Sequence, residues 1–214
     1  MRGTRLTQTM RLQNLHPVSG PALHILESVC HSALEKLKAD RTYLESARLL
    51  VVPLLAEELE LYLRSDFSFE DHFGLNHHPR NIDDHARKAL TERVLPKVRE
   101  SDYRRLYYTL WAGTDKTLNT LVAGIVFKGP PNEQGEVELG AGTLEGFMNR
   151  GYMSEITRMM CGWASKQPEV KSIIANSSPD NFASHRTLQK SGFEIVKKEE
   201  ENWRWRFKSE THAM

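Results

Sequence analysis

Three β-rich runs follow one another in the middle of this 214-residue chain, and a helical pattern begins soon after the third. The runs cover residues 105–113, 120–128 and 135–144, and the polar stretch 114–119 predicts a hairpin between the first two. Glycines inside the third run indicate either a bulge or the close approach of another group. Consecutive strands that lead into a helix restrict the chain to folds in which a sheet and helices share one core.

Further helices and strands are predicted on both sides of these runs. On the N-terminal side the patterns predict a helix over 20–39, a strand over 48–53, a helix over 56–66, a loop over 67–81 and a helix over 82–101 that bends or breaks at Pro96. On the C-terminal side they predict a helix from about Gly151, a strand over 170–178, a helix over 180–192 and strands over 193–199 and 202–208. This order predicts an α/β domain with a mixed sheet over residues 42–208, preceded by a helical extension over 1–41 and followed by a tail over 209–214.

The predicted helix over 20–39 carries an apolar stripe that needs a partner surface. The stripe consists of Leu23, Leu26, Cys30, Ala33, Leu34 and Leu37. A helix of this length is marginal in water and gains its stability by burying its apolar side. We therefore expect the stripe to pack either against the domain or against a second subunit, which would make the protein a homodimer.

Charge and composition exclude several classes of partner. The chain has 29 Lys and Arg against 28 Asp and Glu, so it lacks the basic surface expected of a protein that binds nucleic acid or an anionic membrane. No apolar run approaches the length of a membrane span. The two cysteines, Cys30 and Cys161, lie far apart without metal-ligand spacing, which is typical of a reducing compartment. We expect a cytoplasmic protein without a metal site.

The stretch FMNRGYMSEI, residues 147–156, joins the third β-rich run to the following helix. The first amides of a helix have no partners within the helix, and the helix dipole makes that end positive, so it can bind a phosphate group. Gly151 allows a ligand to approach the backbone closely, and Arg150 adds a fixed positive charge. The alternative is an ordinary helix start with an arginine that faces solvent.

Three segments together resemble the GNAT superfamily of acetyl-CoA-dependent N-acetyltransferases. The resemblance is closest to the branch that contains the ribosomal-protein-alanine acetyltransferases. They are, in chain order, ESARLLVVPLLAEELELYL, VELGAGTLEGFMNRGYMSEI and VKSIIANSSPDNFASHRTLQKSGF. The resemblance covers about residues 42–208 and implies a mixed, mostly antiparallel central sheet flanked by helices. In the family's pyrophosphate loop, a Gln or Arg is followed after two residues by Gly and then, one residue later, by Gly or Ala. Gly151 matches the central glycine, whereas Met148 and Met153 depart from the outer positions.

The resemblance implies a binding site for acetyl-CoA. The backbone amides of one contiguous stretch would hold the pyrophosphate: Asn149, Arg150, Gly151, Tyr152, Met153 and Ser154. Leu139 and Ala141 lie on the strand whose backbone pairs with pantetheine in the family, and the next strand diverges from it. Asn181 matches an asparagine that contacts the pantetheine arm, although it can equally cap the helix that follows, and both roles are compatible.

Transfer to an amine also needs a base, because a protonated amine has no lone pair with which to attack a thioester. Glu138 aligns with a strand glutamate that is the base in several branches, and it shares one face of its strand with Glu136. The alternative is an ordinary residue on a polar face. Ser184 matches a position that can face the departing thiolate, or else is a solvent-facing helix serine. Leu188 stands where many other branches have a tyrosine as general acid, so the proton donor stays open.

These features predict an enzyme that transfers an acetyl group from acetyl-CoA to a primary amine, either a protein N-terminus or a small molecule. The competing hypothesis is a GNAT-fold module that binds an acyl-CoA or a partner protein without turnover. His72, His77 and His78 have no zinc-ligand spacing, and we expect them in an exposed loop near the acceptor cleft. There His77 or His78 could contact a substrate.

Overall fold

The computed structural model of the protein describes residues 32–39, 41–100 and 103–208, and a single eight-stranded sheet runs through this part of the chain. The strands are β1 (Leu44–Glu45), β2 (Leu49–Pro53), β3 (Leu110–Asp115), β4 (Thr120–Phe127), β5 (Glu136–Thr143), β6 (Ser172–Ser177), β7 (Phe193–Lys198) and β8 (Trp203–Phe207). Their order across the sheet is β1-β2-β3-β4-β5-β6-β8-β7. Only β5 and β6 pair in parallel, and the other neighbours are antiparallel. The predicted mixed, mostly antiparallel sheet is confirmed.

Helices pack on both faces of this sheet. They are α1 (residues 32–38), α2 (Ala56–Arg64), α3 (Ser68–Phe73), α4 (Asp84–Ala89), α5 (Leu95–Glu100), α6 (Tyr152–Ala164) and α7 (Phe182–Lys190). Alternate residues of β2 show how the two faces divide, because successive side chains of a strand point to opposite sides. Leu50 and Val52 belong to the core cluster under α1, α2, α3 and α5, whereas Leu49 and Val51 belong to the cluster under α6 and α7.

Three local predictions differ from the structure. The predicted loop 67–81 contains α3, because Phe69 and Phe73 lie one helical turn apart and both are buried, and Gly74 ends the helix at φ +73°. The strand predicted from residue 105 begins at Leu110, since Tyr103–Tyr107 form a 3-10 turn. The helix over 84–100 is not broken at Pro96. A π-helical stretch, Leu90–Val94, precedes α5, and Pro96 falls in the first turn of α5.

The described end of the extension packs against the sheet. Ala33 and Leu37 of α1 are 2% and 0% exposed and belong to the same core cluster as Leu50 and Leu59. The rest of the predicted stripe on residues 20–31, and the tail over 209–214, lie outside the described residues. Just after α1, Arg41 donates two hydrogen bonds of 2.7 Å to the carboxylate of Glu58, and both side chains are almost fully buried.

The burial of Leu37 predicts that α1 contributes to the stability of the domain. Replacing Leu37 with Ala should lower the free energy of unfolding by about 2–5 kcal/mol, because it leaves a cavity at a fully buried position. Urea denaturation of the full chain measures this loss. Lys36→Ala, at an exposed position of the same helix, is the matched control and should change stability by less than about 0.5 kcal/mol. Equal stability of the two variants would show that α1 is dispensable.

Candidate active site

The parallel pair β5–β6 opens into a gap at its C-terminal end. The two strands are in register from Glu136–Ser172 to Leu139–Ala175, and the pairing stops there although both strands continue. Leu139 therefore forms the last rung, while Ala141 lies beyond it with no partner on the β6 side. Because β4 still pairs with β5 as far as Thr143, only the side of β5 that faces β6 is left open. Backbone groups along such an edge are free to bind an extended ligand.

Gly142 leaves one face of β5 open beside this gap. Gly140 and Gly142 alternate with Ala141 and so lie on the same face as Glu138. The register between β4 and β5 is continuous from Phe127–Leu139 to Ala123–Thr143, so the glycines do not mark a bulge. A Cβ atom added at Gly142 would meet no atom within 4 Å. Of the two explanations that the sequence allows for these glycines, the close approach of another group is the one that fits.

The loop after β5 brings the start of α6 to the same edge of the sheet. Asn149 and Gly151 have positive φ angles of 60° and 77°, and this left-handed backbone turns the chain into the helix. No side chain caps the first turn, so the amides of Tyr152, Met153 and Ser154 are available to a ligand. A Cβ atom at Gly151 would lie 3.5 Å from Nη2 of Arg48. This end of the helix has the donors and the polarity that bind phosphate.

Arg48, which the sequence does not single out, ties this loop to the start of β2. Its Nε donates a 2.7 Å hydrogen bond to Glu155, its Nη1 donates to the carbonyl oxygen of Arg150 at 3.2 Å, and its guanidinium lies 4.5 Å above the ring of Tyr152. Burial alone would raise the pKa of Glu155, but hydrogen bonds from Ser46 and Arg48 outweigh it, and the pKa lies below its ordinary value. Glu155 thus stays ionised and holds Arg48 beside the loop.

The side chains at the start of α6 mostly make contacts that stabilise the fold. The hydroxyl of Tyr152 donates to the buried Asp115 at 2.8 Å, and burial together with this hydrogen bond raises the pKa of Tyr152. Ser154 is buried and its carbonyl oxygen accepts from the hydroxyl of Ser191. Met153 packs at the edge of the core, and the guanidinium of Arg150 lies over the ring of Phe147. What this stretch offers a ligand is therefore its backbone.

The start of α7 lies on the sheet face that α6 and α7 cover, next to the end of β6. Oδ1 of Asn181 accepts the amide of Ser184 at 3.0 Å, so Asn181 caps the helix. Its side-chain NH₂ makes no hydrogen bond within the described part of the chain. Ser184 is half-buried, and its hydroxyl has no hydrogen-bond partner among the described residues. Leu188, one turn later, is buried in the core.

Glu138 lies on the opposite face of the sheet, within a polar network. Its Oε1 accepts a hydrogen bond of 2.9 Å from Nδ2 of Asn176 and forms an ion pair with Lys128. Oδ1 of Asn176 in turn accepts from Nδ2 of Asn202 at 3.1 Å. Glu136, two residues before Glu138 on the same face, is paired with Arg204. The side chain of Glu138 is 24% exposed, so a ligand on this face can reach it.

The histidines of the segment 67–81 have separate partners. His77 contacts Asp71 at 2.6 Å and stacks on Phe67, whereas His78 contacts the carbonyl oxygen of Glu145 at 2.8 Å. Of the two, only His78 touches the loop between β5 and α6. In the described ranges no three His, Cys, Asp or Glu side chains are grouped as a metal site would require. None of the helices seen there is long and apolar enough to cross a bilayer.

A separate open cleft of about 560 Å³ lies at the other end of these strands, where β5 and β6 begin. Tyr107, Pro130, Pro131 and Glu169 contribute to its walls, and the hydroxyl of Tyr107 donates to Glu169 at 2.9 Å. No residue of the predicted site lines this cleft. The gap and the start of α6 instead lie together at the C-terminal end of β5, and Glu138 lies one residue before the last rung of the β5–β6 pairing.

Comparison with known proteins gives consistent matches. The family model described as an acetyltransferase (GNAT) domain matches residues 48–194. The uncharacterized N-acetyltransferase YjdG of Bacillus subtilis (strain 168) is 33% identical over 95 residues, which are 44% of this chain and 56% of that relative, so the match spans little more than half of its length.

Solved structures share the fold. Ribosomal-protein-S5-alanine acetyltransferase from Vibrio fischeri aligns with a TM-score of 0.57 at 14% identity, over 81% of this chain and 99% of its own. A GNAT-family acetyltransferase from Bacillus anthracis aligns with a TM-score of 0.52 at 18% identity, over 78% and 98%. At these sequence identities the structural matches show only that the fold is shared.

The hydrogen bond between Tyr152 and Asp115 predicts a structural role for this tyrosine side chain. Tyr152→Phe should lower the free energy of unfolding by about 1.5–3 kcal/mol, because it leaves a buried carboxylate oxygen without its donor. Thermal denaturation of the variant measures the loss. Tyr108→Phe is the matched control, since the half-buried Tyr108 hydroxyl has no hydrogen bond within the described residues. If both variants melt at the temperature of the unmodified protein, the bond does not contribute.

Proposed function

The chain belongs to the GNAT acetyltransferase family, and from that premise we propose that it transfers an acetyl group from acetyl-CoA to a primary amine. The observation that carries the proposal is the gap between β5 and β6, with an uncapped helix start at one side and Glu138 on the far face. An extended thioester that enters from the sheet face under α6 and α7 would reach the gap. An amine that approaches from the other face would meet the thioester beside Glu138.

The residues at the start of α6 fit the pyrophosphate of CoA. In this proposal the backbone amides of residues 149–154 donate to the phosphate oxygens, and the helix dipole adds to the attraction. Gly151 supports the assignment because its left-handed backbone allows close approach and has no side chain to obstruct it. Arg48 and Arg150 bring positive charge to the loop, although Glu155 balances Arg48.

The pantetheine arm is assigned to the gap itself. The open backbone of β5 at Ala141, with Leu139 as the last rung, offers hydrogen-bonding groups to an extended amide chain. Asn181 caps α7 through Oδ1 and keeps its NH₂ group available, so the cap and a contact with pantetheine are compatible.

In this proposal Glu138 is the base, and Ser184 faces the departing sulfur. When bound, acetyl-CoA supplies the thioester carbonyl carbon that the amine attacks; the C–S bond breaks, and CoA leaves as the thiolate, which is balanced as the thiol by the second proton that the nitrogen releases. Glu138 takes the proton that the amine must lose, directly or through one water. Ser184, on the face that α6 and α7 cover, is the hydroxyl we assign to the departing sulfur. The two groups lie on opposite faces of the sheet, which keeps the base apart from the hydroxyl that faces the sulfur.

The acceptor in this proposal is a protein N-terminus or a small-molecule amine. The second candidate function is an acyl-CoA-binding module without turnover, and one observation favours it. Leu188 is buried and apolar at the position where many other branches have a tyrosine acid. Release of free CoA thiol with a panel of amines and N-terminal peptides distinguishes the two, since only an enzyme produces thiol in proportion to acceptor.

The cofactor assignment predicts the effect of a charge at the start of α6. Gly151→Glu should weaken acetyl-CoA binding strongly, because it adds a carboxylate and a strained side chain where phosphate oxygens must approach. Calorimetric titration with acetyl-CoA measures the affinity. Gly162→Ala, later in the same helix, is the control, because a Cβ atom there meets nothing within 4 Å. Equal affinity in the Gly151 variant and the control would remove the loop from the site.

The base assignment predicts the effect of a neutral isostere. Glu138→Gln keeps the shape but cannot take a proton, so turnover should fall by roughly 10²-fold or more while acetyl-CoA affinity stays nearly the same. Steady-state thiol release measures turnover. Glu136→Gln is the matched control, because Glu136 lies on the same face and a glutamine there can keep a hydrogen bond with Arg204. This variant should leave the rate within about threefold of the unmodified enzyme. A Glu138 variant as active as this control would exclude Glu138 as the base.

A further inference from the structure

The two oxygens of Glu138 have different surroundings. Both contacts of the carboxylate, from Lys128 and from Asn176, go to Oε1. Oε2 receives no hydrogen bond from any residue of the described part of the chain. Since the side chain is partly exposed, Oε2 is open to a ligand on this face of the sheet.

Asn176 is placed by the same feature that opens the gap. It is the first residue of β6 beyond the last rung, Leu139–Ala175, and it lies on the face of Glu138 because Glu138 is in register with Ile174. Its side chain therefore reaches across the strands at the point where they diverge. Among the described residues, Asn176 is the only one of β6 whose side chain hydrogen-bonds to Glu138.

Asn202 fixes which end of the Asn176 amide meets Glu138. Nδ2 of Asn202 donates to Oδ1 of Asn176, so the NH₂ group of Asn176 is the end that points to the carboxylate. The hydrogen bonds run in one direction, from Asn202 to Asn176 to Glu138. An amide turned the other way would place two acceptors, Oδ1 and Oε1, against each other.

We propose that Asn176 is a positioning residue for the base and that Oε2 of Glu138 is the atom that takes the proton from the acceptor amine. This inference rests on the proposed function. The N–H bond of the ammonium group breaks, its electron pair stays on nitrogen for attack on the carbonyl carbon, and a new O–H bond forms at Oε2. The donors on Oε1 are an ammonium and an amide NH₂, which have no lone pair to accept this proton. The proton therefore leaves from Oε2 to solvent before the next turnover.

Lys128 alone would hold the carboxylate less well than the pair of donors. Its side chain is 56% exposed, and a flexible exposed lysine fixes an ion pair poorly. Asn176 stands on a strand and is held by a second hydrogen bond. Loss of Asn176 would let the carboxylate rotate, so that Oε2 no longer faces the amine.

The test is a double-mutant cycle between Asn176 and Glu138 on the full chain. Asn176→Ala should lower kcat about tenfold, the scale of one oriented hydrogen bond to a charged group, with KM for acetyl-CoA unchanged. In the Glu138→Gln background the same change should cost less than about twofold, because there is no base left to position. Asn202→Ala, in the turn between β7 and β8, should lower kcat by about threefold, since it frees the Asn176 amide to rotate. Asn81→Ala, at an exposed position outside this network, is the matched control.

Each outcome separates this inference from the proposed function. If Glu138→Gln abolishes turnover while Asn176→Ala stays within about twofold of the unmodified enzyme, the base stands and the positioning role fails. If the two changes multiply, Asn176 acts independently of Glu138 and the inference is overturned. If Glu138→Gln is itself fully active, Oε2 is not the proton acceptor, so this inference and the base assignment fail while the proposed acetyl transfer stands. Should Asn176→Ala not fold, Asn202→Ala in the same cycle carries the test.

Discussion

The early end of the pairing between β5 and β6 is the constraint on which the candidate site depends. Had the strands stayed in register beyond Leu139–Ala175, the second half of β5 would have a neighbouring strand and there would be no gap. Because the pair is parallel, the chain must cross over between the two strands, and α6 forms the crossover. A helix that follows the C-terminal end of β5 begins at that edge, so its unpartnered amides and the open strand come together.

Several residues serve the fold and the proposed chemistry at once. Tyr152 anchors α6 to Asp115 through its side chain, which leaves its backbone amide for a ligand. Asn181 uses one amide atom to cap α7 and keeps the other available. Asn176 reaches across the diverging strands and in doing so orients Glu138. Such sharing lets a small site be built with few side chains, because each is already held by a structural contact.

Contiguous features were predictable from sequence, and features that depend on pairing between distant segments were not. The loop and helix start over 148–154 lie in one stretch, so Gly151 could be identified directly. The partners of Glu138 follow from the register of β5 with β4 and β6, which places Lys128 and Asn176 beside it and which no spacing encodes. Arg48 is likewise remote from the residues it contacts at the start of α6. The short helix α3 was not predicted, because most of its residues are polar and only its two buried phenylalanines, one turn apart, indicate a helix.

Amide hydrogen exchange, with and without acetyl-CoA, tests most directly whether the gap and the start of α6 form the binding site. If they do, the ligand slows exchange in β5 beyond Leu139 and in residues 149–154, and leaves the β3–β4 hairpin unchanged. Protection around the cleft lined by Tyr107 and Pro131, with none at the start of α6, would contradict the account, because the ligand would then bind at the other end of β5 and β6.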